Sequence, residues 1–130
     1  MDPTIAKYNE KLEPADKGIC ELLAAEIDRG LSCAESKIWH AHPVWFLDGN
    51  PIVGYSQEKN GIRLMFWSGA DFCEPGLDVI GKKFKDASVF FNDLTEIKKT
   101  ILRRWLKESQ TIQWDYKNIV KRKGELVRLP

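Results

Sequence analysis

Residues 37–72 constrain this chain most. Both histidines fall there, with Trp39, Trp45 and Trp67, and two turn signals divide the segment: Asp48-Gly49-Asn50-Pro51 and Lys59-Asn60-Gly61. Asn, Asp and Gly tolerate the positive φ of a tight hairpin, so the apolar runs flanking them read as antiparallel strands. Those runs are 36–40, 44–47, 52–57 and 62–67. In the last, Ile62, Leu64 and Phe66 alternate with Arg63, Met65 and Trp67, because successive side chains of a pleated strand project to opposite faces. Pro43 donates no ladder hydrogen bond and is expected at an edge, a bulge or a turn. Residues 87–91 read as a fifth strand and 77–80 as one helical turn.

Outside this segment the spacing becomes helical. Asp2-Pro3 makes a helix start, followed by Ile5, Tyr8 and Leu12 on one face. Pro14 opens a second helix with Ile19, Leu22, Leu23 and Ile27 as its stripe, and Gly30 reads as its left-handed stop. Asp93 and Glu96 form a capping box for a last helix, whose stripe is Leu94, Ile97, Ile101, Leu102 and Trp105. Ile112, Tyr116, Ile119 and Val120 recur at helical spacing in the tail. The expected fold is α+β: an antiparallel five-stranded sheet with the N- and C-terminal helices packed on one face. Residues 1–109 form a single domain. Residues 110–130 form an extension, read as a short helix packed on the domain or on a dimer mate. The second sheet face is then open, and Trp39, Tyr55, Met65 and Trp67 are assigned to it.

A length of 130 residues suits one domain with one core. The net charge of +1 supplies no field that selects nucleic acid or an anionic membrane. No apolar run nears the ~20 residues that span a bilayer, and the polar, acidic start does not read as a signal peptide. Cys20, Cys33 and Cys73 form no CxxC pair, which points to reduced thiols and a cytoplasmic protein.

The run from Trp39 through His40, Ala41, His42 and Pro43 to Trp45, then Asp48-Gly49-Asn50-Pro51-Ile52-Val53, then Ile62-Arg63-Leu64-Met65-Phe66, resembles the YdhG-like domain family. This is a widespread bacterial family of unknown function, and the resemblance covers roughly residues 14–107. His42 replaces a Met frequent in that pattern, and Asn60-Gly61 replaces a His-bearing turn. The family is similar in fold to frataxin and includes a described frataxin-like iron chaperone. The resemblance therefore implies a frataxin-like fold first and iron handling second. Frataxin-type iron binding resembles a carboxylate ridge on the first main helix and the adjoining strand. The matching positions carry Glu13, Asp16, Glu21, Glu26 and Asp28, interleaved with Lys17 and Arg29, with Glu35 before the strand. Glu21, Asp28 and Glu35 are the candidate iron ligands.

Several groups could carry chemistry. His40 and His42, at i and i+2 of one strand, would share a face, and Cys33 or Cys73 could complete a soft site for Zn²⁺ or Fe²⁺. The spacing matches no standard zinc pattern, and one packed and one exposed imidazole is the plainer reading. The helix carboxylates could bind a hard cation or simply face water. The aromatics are the strongest departure from the ordinary. On an open face beside Arg63 or His40 they would make a surface for a partner protein, a small ligand or single-stranded nucleic acid. The candidate surface comprises Trp39, His40, His42, Pro43, Trp45, Tyr55, Arg63, Met65 and Trp67. Lys98, Lys99, Arg103, Arg104, Lys107 and residues 121–123 are interspersed with acids, so a solvated face is expected there and nucleic acid is disfavoured as a partner. No nucleophile motif or phosphate loop is present, so no catalytic residue is assigned. The expected function is that of a non-enzymatic binding or accessory protein, with weak iron binding as one form. The alternative is an interaction or homodimer module using the open aromatic face without metal.

Overall fold

The computed structural model describes residues 1–130. Two helices precede the sheet, α1 (Pro3–Glu10) and α2 (Pro14–Gly30). Asp2 caps α1, its Oδ1 accepting from the Thr4 amide at 2.9 Å. Gly30 is the last residue of α2, and Leu31 follows it as the C-cap with negative φ, so the glycine is not a left-handed stop. Its role is close approach: a Cβ on Gly30 would lie 2.9 Å from Leu106 Cδ1.

Six strands follow: β1 (Glu35–Trp39), β2 (His42–Leu47), β3 (Asn50–Glu58), β4 (Gly61–Phe66), β5 (Val79–Ile80) and β6 (Ala87–Phe91). They pair antiparallel in the order β1-β2-β3-β4-β6-β5. The sixth strand is the short β5, which replaces the expected helical turn at 77–80. Its two residues pair with Ser88 and Ala87 at the sheet edge, where a helical turn could satisfy no ladder group. Pro43 sits inside β2 opposite Ile38. Trp39 and His42 flank a two-residue turn, so the Ile38–Pro43 pair exchanges no hydrogen bonds and β1 loses nothing to the missing N–H. The ladder to β3 begins only at Val44.

The capping box forms at Asp93 and Glu96, but it caps a single 3₁₀ turn, Leu94–Glu96. The chain is extended at Ile97 and Lys98 before α3 (Lys99–Ser109). That break puts Ile97 into the core, where it is 8% exposed.

The helices cover one sheet face. Residues paired across an antiparallel ladder share a face. Trp45 pairs with Val53, Val53 with Phe66, and Tyr55 with Leu64. All five lie in one buried cluster with Ile19, Leu23 and Ile27 of α2 and Leu102, Trp105 and Leu106 of α3. Each such apolar side chain contributes about 1.5–3 kcal/mol relative to exposure. The Tyr55 hydroxyl donates to Asn9 Oδ1 at 2.7 Å. Buried Glu26 of α2 is paired with Arg103 Nη2 of α3 at 2.9 Å and with Arg29 at 2.8 Å, so this charge is compensated from two sides. Arg104 binds Glu74 in the connection after β4 and holds that carboxyl down at about 2. Burial, with Glu74 alongside, pushes Glu108 up to about 7. No helix is long and apolar enough to cross a membrane.

Residues 110–130 form a strap of turns with one β-bridge, Trp114 to Arg128, rather than a helix. Val120 is 86% exposed, so the helical spacing there marks no buried stripe. Asn50, at the start of β3, fastens the strap. Its Nδ2 donates to the Trp114 carbonyl at 2.9 Å and its Oδ1 accepts from the Tyr116 and Lys117 amides, each at 3.0 Å. Asn50→Ala leaves those part-buried backbone groups without their partner. It is expected to lower unfolding free energy by about 2–4 kcal/mol in urea denaturation and to speed amide exchange at Tyr116 and Lys117. An unchanged denaturation midpoint would show that the strap is held elsewhere.

Candidate functional site

The face away from the helices is built by the other half of each strand's alternation. Trp39 pairs with His42, Val44 with Gly54, Gly54 with Met65, Ser56 with Arg63, and Met65 with Ser88. These residues share the uncovered side. Between them lies a hollow of about 230 Å³.

The two indoles define its apolar end. The Trp39 and Trp67 ring centroids are 6.1 Å apart with planes at 39°. Phe46 packs its edge on Trp39 at 5.4 Å, and the His40 ring lies 4.3 Å from Trp39. Gly54 makes this convergence fit. A Cβ there would lie 2.5 Å from the Pro43 carbonyl oxygen, 3.1 Å from Val44 Cγ2 and 3.4 Å from Trp67 Cζ3. Any side chain would push the strand apart and fill the floor.

A polar row crosses β2, β3 and β4 beside the indoles: His42, Ser56, Arg63. Ser56 Oγ donates to Glu58 Oε2 at 2.7 Å. Arg63 Nε donates to Ser88 Oγ at 2.8 Å. Its Nη1 lies 3.7 Å from Glu58 and its Nη2 3.6 Å from Asp86, within ion-pair distance but beyond a hydrogen bond. The guanidinium is held in place while its terminal donors stay uncommitted. His42 Nδ1 is buried with no hydrogen-bond partner, which is uncommon for a buried polar atom. With Lys37 beside Phe46, two cations and two carboxylates surround the hollow, so it favours no net charge.

The turn at the rim is strained. His40 has φ 51° and Ala41 φ 71°. A two-residue turn of this shape favours Asn-Gly, and neither residue here is of that kind.

Of the candidate surface residues, Trp39, His40, His42, Pro43, Arg63, Met65 and Trp67 all border the hollow. Tyr55 also borders it, but its ring belongs to the helix face, and this corrects its assignment to the open face. Trp45 is likewise corrected: it is fully buried under α2. Both turn inward because of register, a one-residue property that decides the face of every side chain in a strand. Val44, Gly54, Ser56, Glu58, Asp86 and Ser88 were not anticipated. Counting outward from the Lys59-Asn60-Gly61 turn would have set Ser56 opposite Arg63.

The metal expectations come apart. His40 lies in the turn and His42 in β2, so they are not i and i+2 of one strand. Cys33 and Cys73 are exposed. Glu21 faces water on α2, Asp28 accepts from Trp45 Nε1 at 3.4 Å, and Glu35 is exposed at the start of β1. No group of three or more His, Cys, Asp or Glu is placed to hold a metal ion.

If the rim turn stores strain, Ala41→Gly will raise stability by about 1 kcal/mol in chemical denaturation, since only glycine takes a left-handed φ without steric cost. Ala41→Val will lower it. Equal stability of the three proteins would mean the turn relaxes in solution.

No family model matches the chain, and no curated protein matches it. Among solved structures, a crystal structure of a protein from the DUF1801 family, YdhG of Bacillus subtilis, superposes with a TM-score of 0.61 at 15% sequence identity. The match covers 93% of this chain and 92% of that one. At that identity the likeness is one of fold: this chain has the α+β architecture of a YdhG-like domain.

Proposed function

We propose that this protein is a non-enzymatic binding protein whose open sheet face takes a small flat ligand, or a flat side chain of a partner, against the Trp39–Trp67 indole pair. The observation that carries this reading is the hollow: two converging indoles, a glycine floor, and Arg63 and His42 with uncommitted polar atoms. Pockets of this kind combine apolar walls with a few placed polar groups that fix orientation. Stacking on an indole is worth about 1–3 kcal/mol per ring, which gives weak but measurable affinity before any hydrogen bond is added. The Ser56 hydroxyl is bonded to the Glu58 carboxylate, but no third group hydrogen-bonds Glu58 to orient it as a base, which favours binding over turnover.

Iron carriage, the finer reading implied by the resemblance to frataxin-like proteins, would fall to Glu21, Asp28 and Glu35. It has less support, because Asp28 accepts from Trp45 and these carboxylates belong to no metal-holding group. A homodimer joined through the aromatic face uses the same residues as the leading reading, and the same titration detects it.

The test is a ¹H–¹⁵N titration with benzimidazole and quinazolinone as flat probes. The expected result is saturable shifts at the Trp39 and Trp67 indole N–H groups, with about tenfold weaker binding for Trp67→Ala. Shifts confined to the helix side, or none at millimolar probe, would overturn the reading. Shifts of the same indoles on dilution of the protein alone would favour the homodimer.

A further inference from the structure

The tail packs beside the hollow and places charge next to it. The Tyr116 hydroxyl donates to the Trp67 carbonyl and accepts from the Lys85 amide at 3.0 Å. Asp86, the next residue, is the partner of Arg63. The loop of residues 82–85 and the strap of residues 110–130 are thus joined to each other and to the polar end of the hollow. In sequence they are distant, and their combined composition is not visible there. Together they hold eight basic residues out of 20, namely Lys82, Lys83, Lys85, Lys117, Lys121, Arg122, Lys123 and Arg128, but only Asp115 and Glu125 of the 19 acids. The rest of the chain is therefore net acidic. Arg122 is paired with Asp115 and Arg128 with Asp71, which leaves the lysines to meet a ligand. The basic groups interleave with aromatics: Lys83 Nζ lies 5.3 Å from the Phe84 ring, Lys85 Nζ 4.9 Å from the Trp114 ring, and Phe84 meets Tyr116 edge-on at 6.2 Å. Lys82, Lys83, Lys121 and Lys123 are exposed.

We infer that the flat ligand is a base of single-stranded nucleic acid, whose phosphates continue onto the basic surface of residues 82–85 and 110–130. This rests on the hollow being a binding site. A stacking platform beside a positively charged track is how single strands are held without strong sequence preference. The hollow itself carries balanced charge, which suits a neutral ring rather than a phosphate. His42, Ser56, Glu58 and Arg63 offer both donors and acceptors, as the edge of a base requires. A duplex keeps its bases stacked inside and could offer none to the hollow. The turn-rich tail presents no amphipathic helix to lie on a bilayer.

The test is fluorescence anisotropy of a labelled 12-nucleotide single strand, as DNA and as RNA, across a salt series. An abasic strand of equal length and a polyglutamate of equal charge serve as comparisons. The intact strand is expected to bind at least tenfold more tightly than either. Lys82→Glu/Lys83→Glu should weaken binding at least tenfold and flatten the salt dependence by about 1.4 in log–log slope, at about 0.7 per phosphate contact. Trp67→Ala should weaken binding with the slope unchanged. Equal affinity for the abasic strand or the polyglutamate would overturn the inference, as would strand binding that leaves the Trp39 and Trp67 indoles unperturbed. If benzimidazole occupies the hollow but the strand does not bind, this inference falls and the flat-ligand reading stands. If the strand binds by phosphate contact alone while no flat probe enters, both fall.

Discussion

A pleated strand can bury only every second side chain beneath one layer of helices, and here there is only one layer. This constraint organises the molecule. Val53, Tyr55, Leu64 and Phe66 go to α2 and α3, so Gly54, Ser56, Arg63 and Met65 must go the other way. The uncovered face could have been evenly polar. Instead it gathers Trp39, Phe46 and Trp67 around a glycine, with charged groups held at one side. Trp39, Met65 and Trp67 stay half-buried there, whereas the helix-facing aromatics Trp45, Tyr55 and Phe66 are fully covered.

The face is rigid at its base and adjustable at its top. Gly54 fixes how close Pro43, Val44 and Trp67 can come, and Ser88 and Asp86 fix where Arg63 stands. The half-buried indoles and the uncommitted terminal nitrogens of Arg63 are the parts free to meet something else. That division, a scaffold that positions and a rim that adapts, is what ligand-binding faces share. The strap adds a third layer by tying Trp67 to the basic end of the molecule through Tyr116. The tail thereby becomes part of the site's surroundings, not a separate extension.

Much of this was legible in the sequence. The period-two run of residues 62–67, the turn signalled by Lys59-Asn60-Gly61 and the helix starts at Asp2-Pro3 and Pro14 each state their structure locally, and each is present. What was not legible depends on register or on distant partners. Tyr55 and Trp45 read as surface aromatics until their pairing with Leu64 and Val53 turns them inward. A bulge between Trp45 and Phe46 shifts the pairing by one residue, and no local signal announces it. The tail misled by spacing alone: Ile112, Tyr116, Ile119 and Val120 repeat at helical intervals, yet the buried Asn50 side chain, more than sixty residues away, takes the backbone hydrogen bonds of residues 114–117. Two strained non-glycine residues at His40 and Ala41 were likewise invisible, since neither residue type signals a left-handed turn.

Whether the aromatic face is free in solution can be measured directly. The protein labelled with 5-fluorotryptophan gives one ¹⁹F resonance for each of its five tryptophans, and a soluble paramagnetic reagent broadens those that water reaches. A free binding face requires strong broadening at Trp39 and Trp67 and little at Trp45 and Trp105, which are buried between the helices and the sheet. Protection of Trp39 and Trp67 equal to that of Trp45 would mean the face is covered by a second copy or by rearrangement, and would contradict the placement of the site there.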